Sequence, residues 1–343
     1  MSSDGRVVVW ESQAGNLIAG GPTRLQVYQR NMTEVAGVQR LGGADRYVVS
    51  AAISRDAFAE GVPVAYVASG AGFADALSGS AVAGIRHGPV LLVGKSSIPQ
   101  AVSDELARLK PKSIVVLGGP NSVDPLVEQA MFAYTGSVTR VGGADRYEVS
   151  ANLANSIDWA QVGRPPGQPV AFVASGEVFP DALSGSAAAG RLGPVILASK
   201  GGFSAPALAA LQTAAPKSIV LLGGQATLSD AVMLQSGTVA QTSRIGGADR
   251  FAVSASVSEK HFDPGLRTVY VASGAVFPDA LSGSAAAALR DAPVLLVQAG
   301  SVPEKVAAEL DRLDPVRIVV LGGPSSVSDA VVAQLAQYVV APR

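Results

Sequence analysis

Three stretches decide how this sequence is read: RLGGADRY from Arg40 to Tyr47, RVGGADRY from Arg140 to Tyr147 and RIGGADRF from Arg244 to Phe251. They start 100 and 104 residues apart, and each is followed by the same later blocks. The first of these is YVASGAGFADALSGSAVAG from Tyr66, FVASGEVFPDALSGSAAAG from Phe172 and YVASGAVFPDALSGSAAAA from Tyr270. The second is SIVVLGGP from Ser113, SIVLLGGQ from Ser218 and RIVVLGGP from Arg317. The chain therefore divides into a leader, residues 1–39, and three units, 40–139, 140–243 and 244–343. A period near 100 residues is too long for a solenoid repeat, so each unit is expected to be a small domain with its own core.

Within the first unit, Val64 to Ala68, Val90 to Val93 and Ile114 to Leu117 are short, continuous apolar runs, the pattern of strands buried on both faces. Arg46 to Phe58, Asp75 to Ile85, Pro99 to Leu109 and Pro125 to Tyr134 have helical length and composition, with Pro99 and Pro125 placed for a first turn. Alternation of the two predicts an α/β unit: a short parallel sheet between helices. Val138 to Val141 is expected as the fourth strand of unit one, leading into unit two. In the leader, DGRVVVWES near Asp4 and LQVYQRN from Leu25 resemble a fragment of a Tol-type β-propeller blade. The alternative is an irregular leader with two short strands.

Composition narrows the function classes. The sequence has 343 residues, 48% of them in the apolar class and only 15% charged, so there is ample surface to bury. With 26 Lys+Arg against 27 Asp+Glu the net charge is −1, which argues against a general nucleic-acid binder. Of those cations 19 are Arg, the side chain suited to bidentate recognition of phosphate or carboxylate. Absence of Cys excludes disulfides, thiolate metal sites and cysteine nucleophiles. The longest uncharged stretch is the 16 residues between Lys200 and Lys217, rich in Gly, Pro, Ser and Thr, so no transmembrane helix is expected. Residues 1–39 do not read as a signal peptide, so export would require an upstream segment.

Two repeated motifs carry candidate chemistry. In SGAGFADALSGSA, Ser69 and Gly70 end a strand and Asp75 is placed to cap the following helix. Free amides of that first turn could hold an anion at the carboxyl edge of the sheet. Ser175, Gly176 and Asp181, and then Ser273, Gly274 and Asp279, are the equivalents. The structural alternative has Gly70 serving a tight turn, Asp75 capping, Phe73 plugging the core and Ala76, Gly79, Ser80 and Ala83 letting the helix lie close on the sheet. In GGADR, Asp45 can cap the next helix. Arg46 enters its first turn, where the helix dipole disfavours a cation. Arg46, Arg146 and Arg250 therefore call for a specific partner, either an internal carboxylate at a unit interface or an external anion. Arg40, Arg140 and Arg244 carry the same two readings.

Catalytic and metal constellations do not recur. His87 and His261 occupy non-equivalent positions without repeated partners and are read as surface residues. Ser69 and Ser78 with Asp75 lack a base, and neither GxSxG nor HExxH nor a dinucleotide fingerprint is present. No cofactor and no metal site is expected.

Taken together, GGADRY, VASGxxFxDALSGSAxA, IVxLGG and the runs PVLLV from Pro89, PVILA from Pro194 and PVLLV from Pro293 make the sequence resemble the bacterial cell wall binding type 2 repeat family, in three copies covering residues 40 to 343. That resemblance implies a Rossmann-like or Toprim-like subdomain per repeat and three subdomains about a pseudo-threefold axis. It also implies noncovalent anchoring to an anionic, teichoic-acid-like secondary polymer of the Gram-positive wall, outside the cell, by a monomer. The rivals are an accessory part of a wall hydrolase such as an amidase, and a scaffold without ligand. The third unit departs from the others at Phe251, which lacks the hydroxyl of Tyr47 and Tyr147, and at Ala288, which stands for Gly84 and Gly190.

Overall fold

The computed structural model describes residues 7–12, 26–31, 36–159, 162 and 169–341. Two leader strands, β1 (Val7–Ser12) and β2 (Gln26–Asn31), pair antiparallel with Val7 opposite Asn31. Residues 36–39 of the leader are also described and enter the next strand, while 1–6, 13–25 and 32–35 lie outside the described residues, and the propeller-blade reading rests on this one strand pair alone.

The first repeat runs β3 (Gly37–Leu41), α1 (Arg46–Ala57), β4 (Ala65–Ser69), α2 (Ala74–Ile85), β5 (Val90–Val93), α3 (Gln100–Leu109), β6 (Ile114–Leu117) and α4 (Pro125–Ala130), the last continued by one 3-10 turn. The second runs β7 (Val138–Val141), α5 (Arg146–Asn155), β8 (Val170–Ser175), α6 (Pro180–Leu192), β9 (Val195–Ala198), α7 (Ala205–Ala214), β10 (Ser218–Leu222) and α8 (Asp230–Gly237). The third runs β11 (Gln241–Ile245), α9 (Arg250–His261), β12 (Thr268–Ser273), α10 (Pro278–Leu289), β13 (Val294–Val297), α11 (Glu304–Leu313), β14 (Arg317–Leu321) and α12 (Asp329–Leu335). The strand and helix positions expected from the first unit hold to within a few residues. Pro99 caps α3 from outside instead of starting it, while Pro125 does occupy the first turn of α4.

Each repeat heads a four-stranded parallel sheet, in the orders β5-β4-β6-β7, β9-β8-β10-β11 and β13-β12-β14-β3. Strands β4, β5 and β14 are buried along their whole length, as runs made mostly of Val, Ile, Leu and Ala require. The fourth strand is always the one that precedes GGADR, so it completes the sheet of the preceding repeat. For the third repeat that strand is β3, with Gly37 opposite Arg317 and Leu41 opposite Leu321. The chain closes on itself, and the sheets are offset by one strand from the sequence units. At this closing seam no peptide bond joins the partners, and an ionic cluster does: Asp56 pairs with Arg290 and Arg317 at 2.7 Å each, and Arg317 also donates to Gln39.

The middle helices α2, α6 and α10 meet on the axis. They are built from Ala, Ser and Gly because they pack against sheet and sibling helices at once, and Ala76 through Ile85 are all buried. Each axial serine shares its one hydroxyl proton between the carbonyl four residues back in its own helix, at 2.6–2.9 Å, and a carbonyl of the next helix, and the latter contacts form a closed cycle. Ser80 donates to Leu281 O (2.8 Å), Ser284 to Leu183 O (3.0 Å) and Ser186 to Leu77 O (3.0 Å). One turn further, Gly84, Gly190 and Ala288 converge. A methyl at position 84 would lie 2.7 Å from the Ala288 Cβ, and one at position 190 only 2.5 Å from it. The axis has room for a single Cβ, and Ala288 supplies it. This explains the third unit's departure from glycine.

Among the described residues no helix is long and apolar enough to cross a membrane. The crowding at the axis has a measurable consequence. Gly190→Ala is expected to cost about 1–3 kcal/mol by overpacking. Combining it with Ala288→Gly, which moves the methyl to a corner whose next neighbour, the Gly84 Cα, is 3.3 Å away, is expected to restore most of the loss in denaturant unfolding.

Candidate functional site

The repeated motifs assemble where two repeats meet, at the carboxyl ends of the strands. Asp45, Asp145 and Asp249 cap α1, α5 and α9 as their sequence positions foretell, each accepting from two first-turn amides at 2.8–3.0 Å. The following arginine leaves its helix. Arg46 donates to Gly70 O, Arg146 to Gly176 O (2.5 Å) and Arg250 to Gly274 O (2.5 Å). The same guanidinium groups stand over a phenylalanine of a different repeat: Arg46 over Phe277 (5.9 Å), Arg146 over Phe73 (5.5 Å) and Arg250 over Phe179 (5.9 Å). The carboxylates of Asp279, Asp75 and Asp181 across the same junctions act on the charges of Arg46, Arg146 and Arg250, but the direct contacts are of another kind. They are a carbonyl and an aromatic face.

The small residue at position 70 is explained by this packing and not by the turn conformation expected. Gly70 has no positive φ. A Cβ there would come 2.7 Å from the Tyr47 ring and 3.0 Å from Arg46 Cδ, and the same holds at Gly176 and Gly274 against Tyr147 and Phe251. The ring is therefore the shared feature and its hydroxyl is dispensable, as Phe251 indicates. Ser69, Ser175 and Ser273 are buried, and each accepts from the amide two residues on, at 3.1–3.2 Å, which shapes the strand-to-helix turn.

Asp75, Asp181 and Asp279 do not cap their helices. The N-cap positions belong to Phe73, Phe179 and Phe277, without side-chain caps. The carboxylates instead turn to the LGG loop of their own repeat, where Ser122 donates to Asp75 (3.0 Å) and Ser326 to Asp279 (3.4 Å). Gly118, Gly223 and Gly322 in that loop have φ of 90–103°, and a side chain there would strike the carboxylate. Burial pushes all three carboxyls above the usual range, and Arg146, Arg250 and Arg46 of the adjacent repeats pull Asp75, Asp181 and Asp279 back down.

Two of these junctions are open clefts. The one between the first and second repeats holds about 800 Å³ and is lined by Phe73, Asp75, Ser122, Asp145, Arg146 and Phe277, among others. The one between the third and first holds about 420 Å³, with Asp45, Arg46, Phe277, Asp279 and Ser326 on its walls. Arg46, Arg146 and Arg250 are exposed. Among the described residues their single hydrogen bond each is the one to the glycine carbonyl, which leaves most of the five donors of each guanidinium without a protein acceptor there, and Arg146 and Arg46 line the two clefts.

Arg40, Arg140 and Arg244 are a different case. They tie the fourth strand to the LGG loop and the last helix of the preceding repeat. Arg40 reaches Gly322 O (2.9 Å) and Asp329 (3.0 Å), Arg140 reaches Gly118 O (2.9 Å) and Glu128 (2.8 Å), and Arg244 reaches Gly223 O (3.0 Å). For Arg40 and Arg140 the internal carboxylate is the observed partner, and Arg244 approaches Asp230 more loosely, at 3.9 Å. The histidines split: His87 is exposed, whereas His261 is partly buried between repeats. Its ring lies against Phe172 at 5.3 Å, its Nε2 has no hydrogen-bond partner among the described residues, and burial brings its pKa down to about 4. The surface reading fails for His261 because α9 packs on the second repeat. Among the described residues no group of His, Asp and Glu is arranged to hold a metal ion.

A family model for cell wall binding domain 2 (CWB2) matches residues 40–128, 140–233 and 244–332, most of the chain. The chain belongs to this family. Its three repeats are wall-binding domains by that membership. A curated relative of the CWB2 chain is N-acetylmuramoyl-L-alanine amidase LytC of Bacillus subtilis (strain 168), 22% identical over 88% of this chain and 59% of that protein. Another is the Amidase enhancer of the same organism, 28% identical over 80% of this chain and 37% of that protein. The chain thus spans little more than half the length of one relative and just over a third of the other. Among solved structures, Cwp6 from Clostridium difficile superposes with a TM-score of 0.82 at 24% identity, covering 97% of this chain and 51% of that one. Cwp8 from the same organism gives 0.78 at 24% identity, over 89% and 52%. These two establish the shared fold.

The tight seat of Tyr47 and Arg46 on Gly70 makes a specific substitution informative. Gly70→Ala is expected to destabilise by about 1–3 kcal/mol. Gly72→Ala, where a Cβ meets nothing within 4 Å, is expected to change the midpoint of urea unfolding hardly at all.

Proposed function

We propose that the chain is a noncovalent anchor that binds an anionic, teichoic-acid-like secondary polymer of the Gram-positive wall, holds an attached protein at the outside of the cell, and acts as a monomer. One observation carries the proposal. Three exposed guanidinium groups, each with most of its donors unused, are held by a carbonyl and an aromatic ring at the junctions between repeats. An arginine so positioned presents a planar fork to phosphate or carboxylate. The aspartate and Ser122 beside it in the first cleft are suited to sugar hydroxyls. Three such junctions on one molecule turn weak individual contacts into avidity for a repeating polymer. Monomeric behaviour is favoured because the symmetry is already closed within one chain.

No catalytic step is assigned. The amidase activity named for one relative belongs to a protein of which this chain spans only part. The nearest chemistry in the clefts, carboxylate with serine, has no histidine or lysine beside it among the residues that line them.

Sedimentation with purified walls, before and after their secondary polymers are removed by acid, tests the proposal. Binding is expected to disappear with the polymer, and to weaken as salt rises above about 0.1 M, where exposed charges more than about 10 Å apart are screened. The triple variant Arg46→Gln, Arg146→Gln, Arg250→Gln is expected to bind on the order of tenfold more weakly, with melting lowered by only a few degrees. Full binding to stripped walls, full binding by the triple variant, or release of wall fragments would each contradict the proposal.

A further inference from the structure

The clefts do not end at separate walls. Phe277 lines both the cleft between the first and second repeats and the one between the third and first. Its ring touches Phe73 and Phe179 at 5.7 Å each, and those two touch one another at 5.8 Å. The three rings form an aromatic floor across the pseudo-threefold axis, and each carries one guanidinium of a different repeat over it. Any two of the three charges are therefore separated by at most two cation–ring steps and one ring–ring step, none longer than 5.9 Å.

The rim of this floor is uneven. Val178 and Val276, the residues just before Phe179 and Phe277, are each 40% exposed and stand up beside it. The equivalent residue of the first repeat is Gly72, which lines the larger cleft and has open space where a side chain would project. The floor is thus walled by valine at two corners and open at the third.

Resting on the reading of the clefts as wall-polymer sites, we propose that a single anionic polymer chain enters at the Gly72 gap and crosses the axis over Phe73, Phe179 and Phe277. It thereby engages Arg146 and Arg46 together, so that the protein takes up one chain and not three. Two neighbouring clefts share a wall residue, so a chain in one of them is already at the threshold of the next. Separate anionic chains ending at the same floor would sit within about a Debye length, ~10 Å at 0.1 M salt, and repel. The apolar faces of sugar rings find a matching surface in the half-buried phenylalanine rings, and the arginines above them meet the charges between the sugars.

The probe is anionic polymer released from purified walls by mild acid, end-labelled and fractionated to a narrow length, titrated into the full chain and counted by analytical ultracentrifugation. Saturation at one labelled chain per protein is expected. Gly72→Val, which closes the third corner, is expected to weaken uptake on the order of tenfold at an unchanged melting temperature. Three chains per protein, or uptake unaffected by Gly72→Val, would overturn the single-chain path while leaving the clefts as wall sites. Failure of the wild-type chain to take up the released polymer, or to sediment with intact walls, would remove both this inference and the reading beneath it.

Discussion

Everything in this fold depends on how closely three helices can approach one axis. Gly84, Gly190 and Ala288 leave space for one methyl group, and the serine cycle of Ser80, Ser186 and Ser284 ties each helix to a carbonyl of the next. That approach brings Phe73, Phe179 and Phe277, at the starts of the same helices, into mutual contact. It also carries each GGADR arginine onto a ring from a different repeat. The clefts are therefore a product of repeat-on-repeat packing, and no single repeat contains a complete one. A longer side chain at the axis would disturb the arginines indirectly, by spreading the helices that hold the rings.

Closure of the ring follows from the same geometry. A three-membered ring made from one chain has two covalent junctions and one that is not, and here the strand Gly37–Leu41 spans the open one by completing the third sheet. Arg317, where the other repeats have Ser113 and Ser218, adds charge to this seam with Asp56 and Arg290. A buried ion pair offers little net stability over an apolar packing of equal shape, but it penalises wrong registers strongly because a lone buried charge is costly. Placing it at the seam that lacks a peptide link is consistent with that role.

Much of the architecture was legible because periodic blocks three times repeated expose the strand and helix boundaries, and Asp45 before an arginine and an aromatic residue reads as a cap by local rules alone. Asp75 misled because it too sits near a helix start. Its carboxylate is claimed by Ser122, 47 residues away, and local rules do not see that partner. Gly70 was read for backbone freedom when the constraint was the Tyr47 ring pressed against it, again a contact from outside the motif. The buried Glu105, held by Ser54 at 2.6 Å and Arg108 at 2.6 Å, recurs only as Glu309 with Arg312, and the second repeat has Ala154 and Ala210 at the equivalent positions, so the pattern is not threefold like the blocks that drew attention. Position Arg317 was in plain view as a change from serine, but only the closing of the ring gives that change a partner.

The central claim is that Arg46, Arg146 and Arg250 are held ready for a ligand, whereas Arg40, Arg140 and Arg244 are occupied by the fold. Modification of the protein with an arginine-directed dicarbonyl reagent, with and without bound wall material and read out by peptide mass spectrometry, separates the two sets directly. Arg46, Arg146 and Arg250 are expected to react in the free protein and to be shielded on the wall, with exposed Arg86 reactive in both states and Arg40, Arg140 and Arg244 slow in both. Equal labelling of Arg46, Arg146 and Arg250 in free and wall-bound protein would contradict the claim.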